Sequence, residues 1–251
     1  MAIASAPAVK RALLIAALLL LPLAAHAQSF NLDLGHPGDA GATARLVQIT
    51  ALFTVLSLAP SLLVMVTAFT RIVVVLSLLR GALGAQSTPP NTVLIGLALF
   101  LTFFVMQPTF EKSWVTAIQP MEQGKMAELD ALPKAAEPFR TFMVANVRPA
   151  DLQLFQDLGH LPPAANPDQP SWRALIPAFM VSELRRAFEM GFLLYLPFTI
   201  IDLVVASVLM SLGMMMLPPN GVSLPFKLIF FVMVDGWRMV AGSLVQSFIP
   251  G

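Results

Sequence analysis

Two long apolar regions enclose a more polar middle. The first, residues 46–110, is interrupted by Pro60 and again by Thr70 and Arg71. Its uninterrupted run at 92–106 would be about 22 Å long as a helix, which is shorter than the ~30 Å hydrocarbon core of a bilayer. Because broken backbone in a membrane must find protein partners, this region is predicted to form a kinked helical hairpin.

The second apolar region, residues 188–251, has the same outline. An apolar run ends at a Pro-Pro-Asn-Gly turn, and an apolar return follows that carries Lys227, Asp235 and Arg238. At 100° per residue these three charges fall on one side of a single helix, where protein or water must face them. A second kinked hairpin is therefore predicted.

The middle region, residues 111–187, has balanced charges and frequent prolines. Its amphipathic stretches include 138–147 and 149–158, in which Pro138 and Pro149 fit the first turn of a helix. These features predict a small soluble helical domain. Its apolar positions at near-helical spacing leave two interpretations open, an internal core or a surface for neighbouring copies.

Residues 1–27 have the pattern of a removable signal peptide. Lys10 and Arg11 precede an apolar run, and Ala25 and Ala27 are the small residues of a cleavage site. The run would be about 21 Å long as a helix, which argues against the alternative of a first membrane anchor. Cleavage would leave residues 28–45 as a polar, Gly-rich tail outside the cytoplasm, with the middle domain on the same, periplasmic side.

The composition mainly excludes several classes of function. The chain of 251 residues is 57% hydrophobic and 12% charged, with a mean hydropathy of +0.78, as expected for a membrane protein. A net charge of +1 gives no basic field for nucleic acid. There is no cysteine, and the three histidines lack metal-ligand spacing. The sequence therefore predicts no catalytic residue, no metal and no cofactor.

Asp202 is an ionisable residue inside an apolar run. An unpaired charge at mid-membrane costs about 2.5–3.5 kcal/mol, so it needs a partner. Asp202 lies fifteen positions before Leu217 and Lys227 ten after it, so an antiparallel hairpin brings the two within a turn or two of each other. The pair is interpreted either as a structural clamp or as a proton relay, the latter belonging to a proton-coupled secondary transporter.

Three consecutive methionines, Met214, Met215 and Met216, end the same run. Flexible thioethers at a helix end can close against one another and reopen around variable cargo. An apolar ring can also hold back ions by dewetting. The triplet is interpreted as a pore gate, with packing against lipid as the alternative.

Glu183, Arg185, Arg186 and Glu189 form a charge cluster at helical spacings, just outside the apolar run that begins at Gly191. Most clusters of this kind are solvated helix faces. The alternative is a contact between subunits.

Two long stretches resemble the FliP/SctR family of type III export-gate proteins. They are AFTRIVVVLSLLRGALGAQSTPPNTVLIGLALFLTFFVMQP, residues 68–108, and FEMGFLLYLPFTIIDLVVASVLMSLGMMMLPPNGVSLPFKLIFF, residues 188–231. The likeness extends over residues 46–248, and the leader and tail resemble the flagellar branch of the family. The resemblance implies a homo-oligomer, by family a pentamer, that joins FliQ and FliR beside FlhA and FlhB. It further implies that unfolded flagellar export substrates cross the inner membrane through this assembly, within the flagellar basal body.

The resemblance also implies roles for particular residues. The implied pore gate is Met214, Met215 and Met216; the implied intramembrane charge pair is Asp202 and Lys227; the implied subunit contacts are Phe142, Phe155 and Glu183. The predicted fold is an all-α membrane protein, with two kinked helical hairpins flanking a small helical periplasmic domain and assembling into a ring or spiral pore. A proton-coupled transporter and a pure assembly scaffold are the rival interpretations.

Overall fold

The computed structural model describes residues 50, 53, 54, 57, 61, 64–85, 87–162, 169–214 and 216–249. Contacts divide the chain into two units, Met1–Val55 and Leu56–Gly251, and the fold described below is that of the second. The predicted signal peptide, 1–27, and tail, 28–45, lie outside the described residues and stay predictions.

In the described part of the chain every regular element is a helix, which confirms the all-α prediction. A π-helical segment, Trp114–Ile118, joins α2 to α3 without a break. The helices are α1 Phe69–Ala82, α2 Asn91–Ser113, α3 Gln119–Glu122, α4 Glu128–Asn146, α5 Pro149–Leu158, α6 Trp172–Ser211, α7 Pro219–Met233 and α8 Gly236–Gln246.

Among the described residues, two helical segments are long and apolar enough to cross a membrane, Asn91–Glu122 and Trp172–Ser211. The pair α7 and α8 counts as a third if the two are taken as one broken span. The predicted domain boundaries at 110/111 and 187/188 both fall inside the long helices. The middle domain is therefore joined to both apolar regions by continuous helix.

The first long segment corrects the prediction that this part of the chain is too short to span. It has 32 residues, or about 48 Å, because the helix continues through Pro108 and beyond the charged Glu111 and Lys112. The π segment ends two residues before Pro120, which has no amide hydrogen for an ordinary α-helical turn. The helical segment therefore extends well beyond the apolar run that ends at Met106.

Of the two prolines that were predicted to lie in the first turn of a helix, only one does. Pro149 occupies the first turn of α5, as predicted. Pro138 does not begin a helix, because α4 starts at Glu128 and continues through Pro133 and Pro138. An interior proline costs a helix about 3 kcal/mol, and here α4 packs against α2, the π segment and α6, which offsets that cost.

The core is built by α1 lying against α6. Arg71 pairs with Glu183, and two close contacts follow along the helices at higher residue numbers, so the helices run parallel. A Cβ on Gly191 would lie 2.2 Å from Leu78 Cδ1, and one on Gly81 would lie 2.5 Å from the hydroxyl of Tyr195. The two glycines thus let the helices approach closely at these points.

The segment that follows the second turn forms two helices instead of one. The prediction that its three charged residues lie on one side of a single helix is therefore wrong. A 64° bend separates α7 from α8. Asp235 at the bend has φ 52°, and a Cβ on Gly236 would lie 2.2 Å from the ring of Phe231. Lys227 is buried on α7, whereas Asp235 and Arg238 are exposed. The three charges do not share a face, because the bend turns the helix axis between them.

Candidate functional site

Asp202 on α6 and Lys227 on α7 form an ion pair, with Lys227 Nζ 2.6 Å from Asp202 Oδ2. Ser223, one turn before Lys227, donates its hydroxyl to Asp202 Oδ1 at 2.6 Å. Lys227 Nζ also donates to the carbonyl oxygen of Ala82, the last residue of α1, at 3.1 Å. The hairpin thus brings together the residues that the sequence pairs, and one ammonium group joins α1, α6 and α7.

A pocket of about 310 Å³ lies beside this pair. Arg80, Tyr195, Thr199 and Asn220 line it together with Asp202. The side chain of Asp202 is 31% exposed and that of Lys227 is 6% exposed. The carboxylate is therefore the member of the pair that solvent can reach.

A second ion pair joins α1 to α6 and was not predicted from the sequence. Arg71 Nε donates to Glu183 Oε2 at 2.8 Å and Arg71 Nη2 donates to Glu183 Oε1, so the contact is bidentate. Arg71 Nη1 donates to both the carbonyl and the hydroxyl oxygen of Ser247, each at 2.9 Å. The guanidinium carbon lies 3.7 Å from the centre of the Phe248 ring. One buried guanidinium therefore holds α1, α6 and the residues that follow α8.

The predicted charge cluster on α6 divides into two parts. Arg185 and Glu189 are exposed and pair with each other at 2.8 Å, as a solvated face would. The side chain of Glu183 is 0% exposed and is turned to Arg71. The sequence does contain a signal for this burial. Glu183 lies on one row of the helix, at four-residue spacing, with Phe179, Ala187 and Gly191, and all of these residues are buried. A carboxylate in such a row faces the core and needs a buried cation.

Phe142 and Phe155 both contribute to the interior of the single chain. The ring of Phe142 lies 5.9 Å from that of Phe179 and 6.0 Å from that of Phe248. Phe155 is partly buried against the cluster that contains Met143 and Phe179. These positions agree with the internal-core interpretation. Contact with neighbouring copies stays a prediction for both residues.

Met214 and Met216 lie at the tip that connects α6 to α7. Gly213, with φ 74°, follows the end of α6, and Pro219 begins α7. Met214 is 45% exposed and Met216 is 98% exposed, whereas Met215 lies outside the described residues. Exposed apolar side chains also occur along α2 and α6, for example Phe100 at 78% and Phe192 at 64%, so this exposure agrees with packing against lipid as well as with a gate. The pore gate stays a prediction.

These features define a class: an all-helical protein with helices suited to a membrane, an apolar tip and two internal ion pairs. The FliP family model matches residues 52–244. The protein named flagellar biosynthetic protein FliP in Caulobacter vibrioides is 57% identical over 233 residues, covering 92% of this chain and 87% of the relative. Proteins with the same name in Agrobacterium fabrum and Bacillus subtilis are each 50% identical, covering 93% and 80% of this chain and 97% and 91% of the relatives. The chain belongs to the FliP family, as the resemblance predicted.

Proposed function

We propose that this chain is a non-enzymatic, pore-forming core subunit of a flagellar type III protein export gate. The names of its relatives support a place in the flagellar export apparatus, and its long apolar helices support a place in the inner membrane. In this proposal several copies, five by family resemblance, form a ring with FliQ and FliR beside FlhA and FlhB. Unfolded flagellar subunits pass through the ring, and residues 111–187 form its periplasmic part.

The exposed tip between α6 and α7 carries the proposal. Met214 and Met216 are exposed, and the neighbouring Leu212 and Leu217 are 66% and 43% exposed. Each ion that leaks across an energised membrane is driven by about 2.3 kcal/mol per charge per 100 mV. Several such tips meeting on one axis would form an apolar constriction that dewets when closed. The flexible thioethers would then separate around a passing chain.

The Asp202–Lys227 pair serves this gate as a clamp. The pair lies on the two helices that the tip connects, so it fixes how α6 and α7 are placed below the tip. Lys227 is also bonded to the end of α1, and Asp202 accepts from Ser223. This set of hydrogen bonds supports a structural role, in which the clamp holds the methionines at a common height in the ring.

The gate is tested by replacing Met214, Met215 and Met216 with alanine. The closed complex in a planar bilayer should then conduct ions, because alanine removes the bulk and the dry surface that closes the pore. The control replaces Met233 and Met239, which are 80% and 59% exposed and lie away from the tip. It should leave conductance at the wild-type level. Unchanged conductance in the triple variant would refute the gate.

The pocket beside Asp202 favours a second candidate, a proton-coupled transporter in which the solvent-reachable carboxylate takes up the proton. The purified protein separates the two functions. A ring of several identical chains supports the export gate, whereas a stable monomer that moves protons with a solute supports the transporter.

A further inference from the structure

We infer that the pocket beside Asp202 binds the phosphate of an anionic phospholipid, and that Arg80 is the residue that holds this phosphate. The inference rests on the membrane location of the chain and does not depend on the proposed ring. It gives the chain a lipid-binding site at the turn between α1 and α2.

The first step is the charge of Arg80. The described part of the two apolar regions contains four basic residues, and three of them form ion pairs within the chain, namely Arg71, Lys227 and Arg238. Arg80 forms no ion pair with the described residues. Its Nη1 donates to the carbonyl oxygen of Pro89 and to the side chain of Asn91, and no described residue accepts from its Nε or Nη2. A guanidinium without a counter-ion is unfavourable beside a membrane core, so Arg80 requires an anion from outside the chain.

The second step is the lining of the pocket, which lies where α1 ends and α7 begins beside α6. Asp202 and Lys227 also line it, but they pair with each other at 2.6 Å, so the uncompensated charge is that of Arg80. The uncharged polar side chains of the lining are Tyr195, Thr199 and Asn220. A phosphate offers several acceptor oxygens to the forked donors of an arginine and to such neighbours, whereas a carboxylate offers two. The lining therefore favours a phosphate.

The third step is the surface next to the pocket. Tyr195, Thr199 and Asp202 line the pocket from one row of α6. The adjacent row, one residue further along, is apolar and exposed, and consists of Leu196, Ile200 and Leu203 at 43%, 59% and 63% exposure. A polar site and an apolar strip thus lie side by side on one helix. A phospholipid has the same arrangement, with a charged headgroup joined to acyl chains, and a free phosphate does not.

The fourth step is the level of the pocket in the membrane. Asn91, which accepts from Arg80, begins α2, and residues 92–110 carry no charge before Glu111. As a helix this stretch is about 28 Å long, close to the ~30 Å thickness of a hydrocarbon core. The turn between α1 and α2, with Ser87 and Thr88 exposed, therefore lies at one boundary of the core. Lipid headgroups lie at that level, and basic pockets between membrane helices there bind anionic headgroups.

A binding experiment with the full chain in detergent tests the role of Arg80. Dioleoyl phosphatidylglycerol is added, and native mass spectrometry gives the dissociation constant of the first bound lipid. Arg80→Gln should weaken this binding at least about tenfold, because a charge-assisted contact to the phosphate is lost. The control, Arg238→Gln, removes a charge that is 87% exposed on α8 and should change the constant by less than about twofold. Equal constants in the parent and Arg80→Gln, or equal weakening in both variants, would overturn the inference.

Two further probes distinguish the source of the phosphate. Dioleoyl phosphatidylcholine has the same acyl chains without a net charge and should bind at least about tenfold more weakly than phosphatidylglycerol. Inorganic phosphate at millimolar concentration should not displace the bound lipid. Equal binding of the two lipids would show that only the acyl chains are held. Displacement by inorganic phosphate would show a site for a free anion. If phosphatidylglycerol does not bind, the anion beside Arg80 is a carboxylate of a partner chain. Each of these three results would overturn the inference.

Folding of each variant is checked by circular dichroism. If Arg80→Gln loses helical content, Tyr195→Phe replaces it, because this change keeps every charge and removes one hydroxyl from the pocket. It should weaken binding of phosphatidylglycerol about threefold, and an unchanged constant would contradict the site. Failure of the wild-type chain to form a ring would refute the proposed function and would leave this binding result unaffected.

Discussion

The two ends of α1 are fastened to the rest of the protein by ion pairs of different character. Near the start of α1, Arg71 and Glu183 are enclosed, at 1% and 0% exposure. At its end, Lys227 is enclosed, but its partner Asp202 is 31% exposed and lines a pocket. Removal of one member of an enclosed pair strongly destabilises the protein, because the other member is left charged and out of contact with solvent. When one member of a pair is exposed, water can solvate that member after its partner has been removed.

The largest effect is expected from Arg71→Ala. It leaves Glu183 buried without a cation, which typically costs about 3–5 kcal/mol of the free energy of unfolding. Denaturant unfolding in detergent, followed by circular dichroism, measures the loss. Arg185→Ala is the matched control, because it breaks an exposed pair worth no more than about 1 kcal/mol. Similar losses in both variants would show that the two environments do not differ as the burial indicates.

A smaller loss is expected from Gly191→Ala, which tests the close approach of α1 and α6 between the two ion pairs. The new Cβ would lie 2.2 Å from Leu78 Cδ1 and 3.2 Å from Leu78 Cβ. Such overpacking costs about 1–3 kcal/mol, against a gain of about 1 kcal/mol in helix propensity, so the net loss should be up to about 2 kcal/mol. Gly96→Ala on α2 is the control, because a Cβ there meets nothing within 4 Å. Alanine at position 96 should be neutral or stabilising, since it raises helix propensity. A neutral result at both positions would contradict the tight packing.

The smallest effect on stability is expected from Asp202→Asn combined with Lys227→Gln. Both charges are removed together, and the amide groups can still form hydrogen bonds, so the free energy of unfolding should fall by about 1–2 kcal/mol or less. Assembly and export by this double variant distinguish the clamp from the proton relay. If the double variant assembles and exports at the wild-type rate, the proton relay is excluded. If it assembles normally but does not export, the clamp alone is not a sufficient account.

The same comparison shows which contacts could be predicted from the sequence. Asp202 and Lys227 lie on two helices joined by a short turn, so counting residues from the turn gives their register. Arg71 and Glu183 are separated by 112 residues and by four helices and a π segment, and no local count aligns them. Burial of Glu183 was visible in the apolar row around it, but its partner was not, because several arginines could have filled that place.

The sequence by itself determined the helical class, the membrane character, the family and the pairing across the second hairpin. The helical class and the membrane character follow from composition and apolar runs, and the pairing follows from short-range spacing. The family follows from the resemblance of residues 68–108 and 188–231. Only the tertiary structure decided that the first long helical segment continues to Glu122, that the last return bends at Asp235 and that Arg71 holds the end of the chain. The first two are matters of local backbone geometry, at the π segment near Pro120 and at Asp235 with its positive φ. The third depends on packing between segments that are distant in the chain, and helix propensity and hydropathy do not tell which surfaces meet.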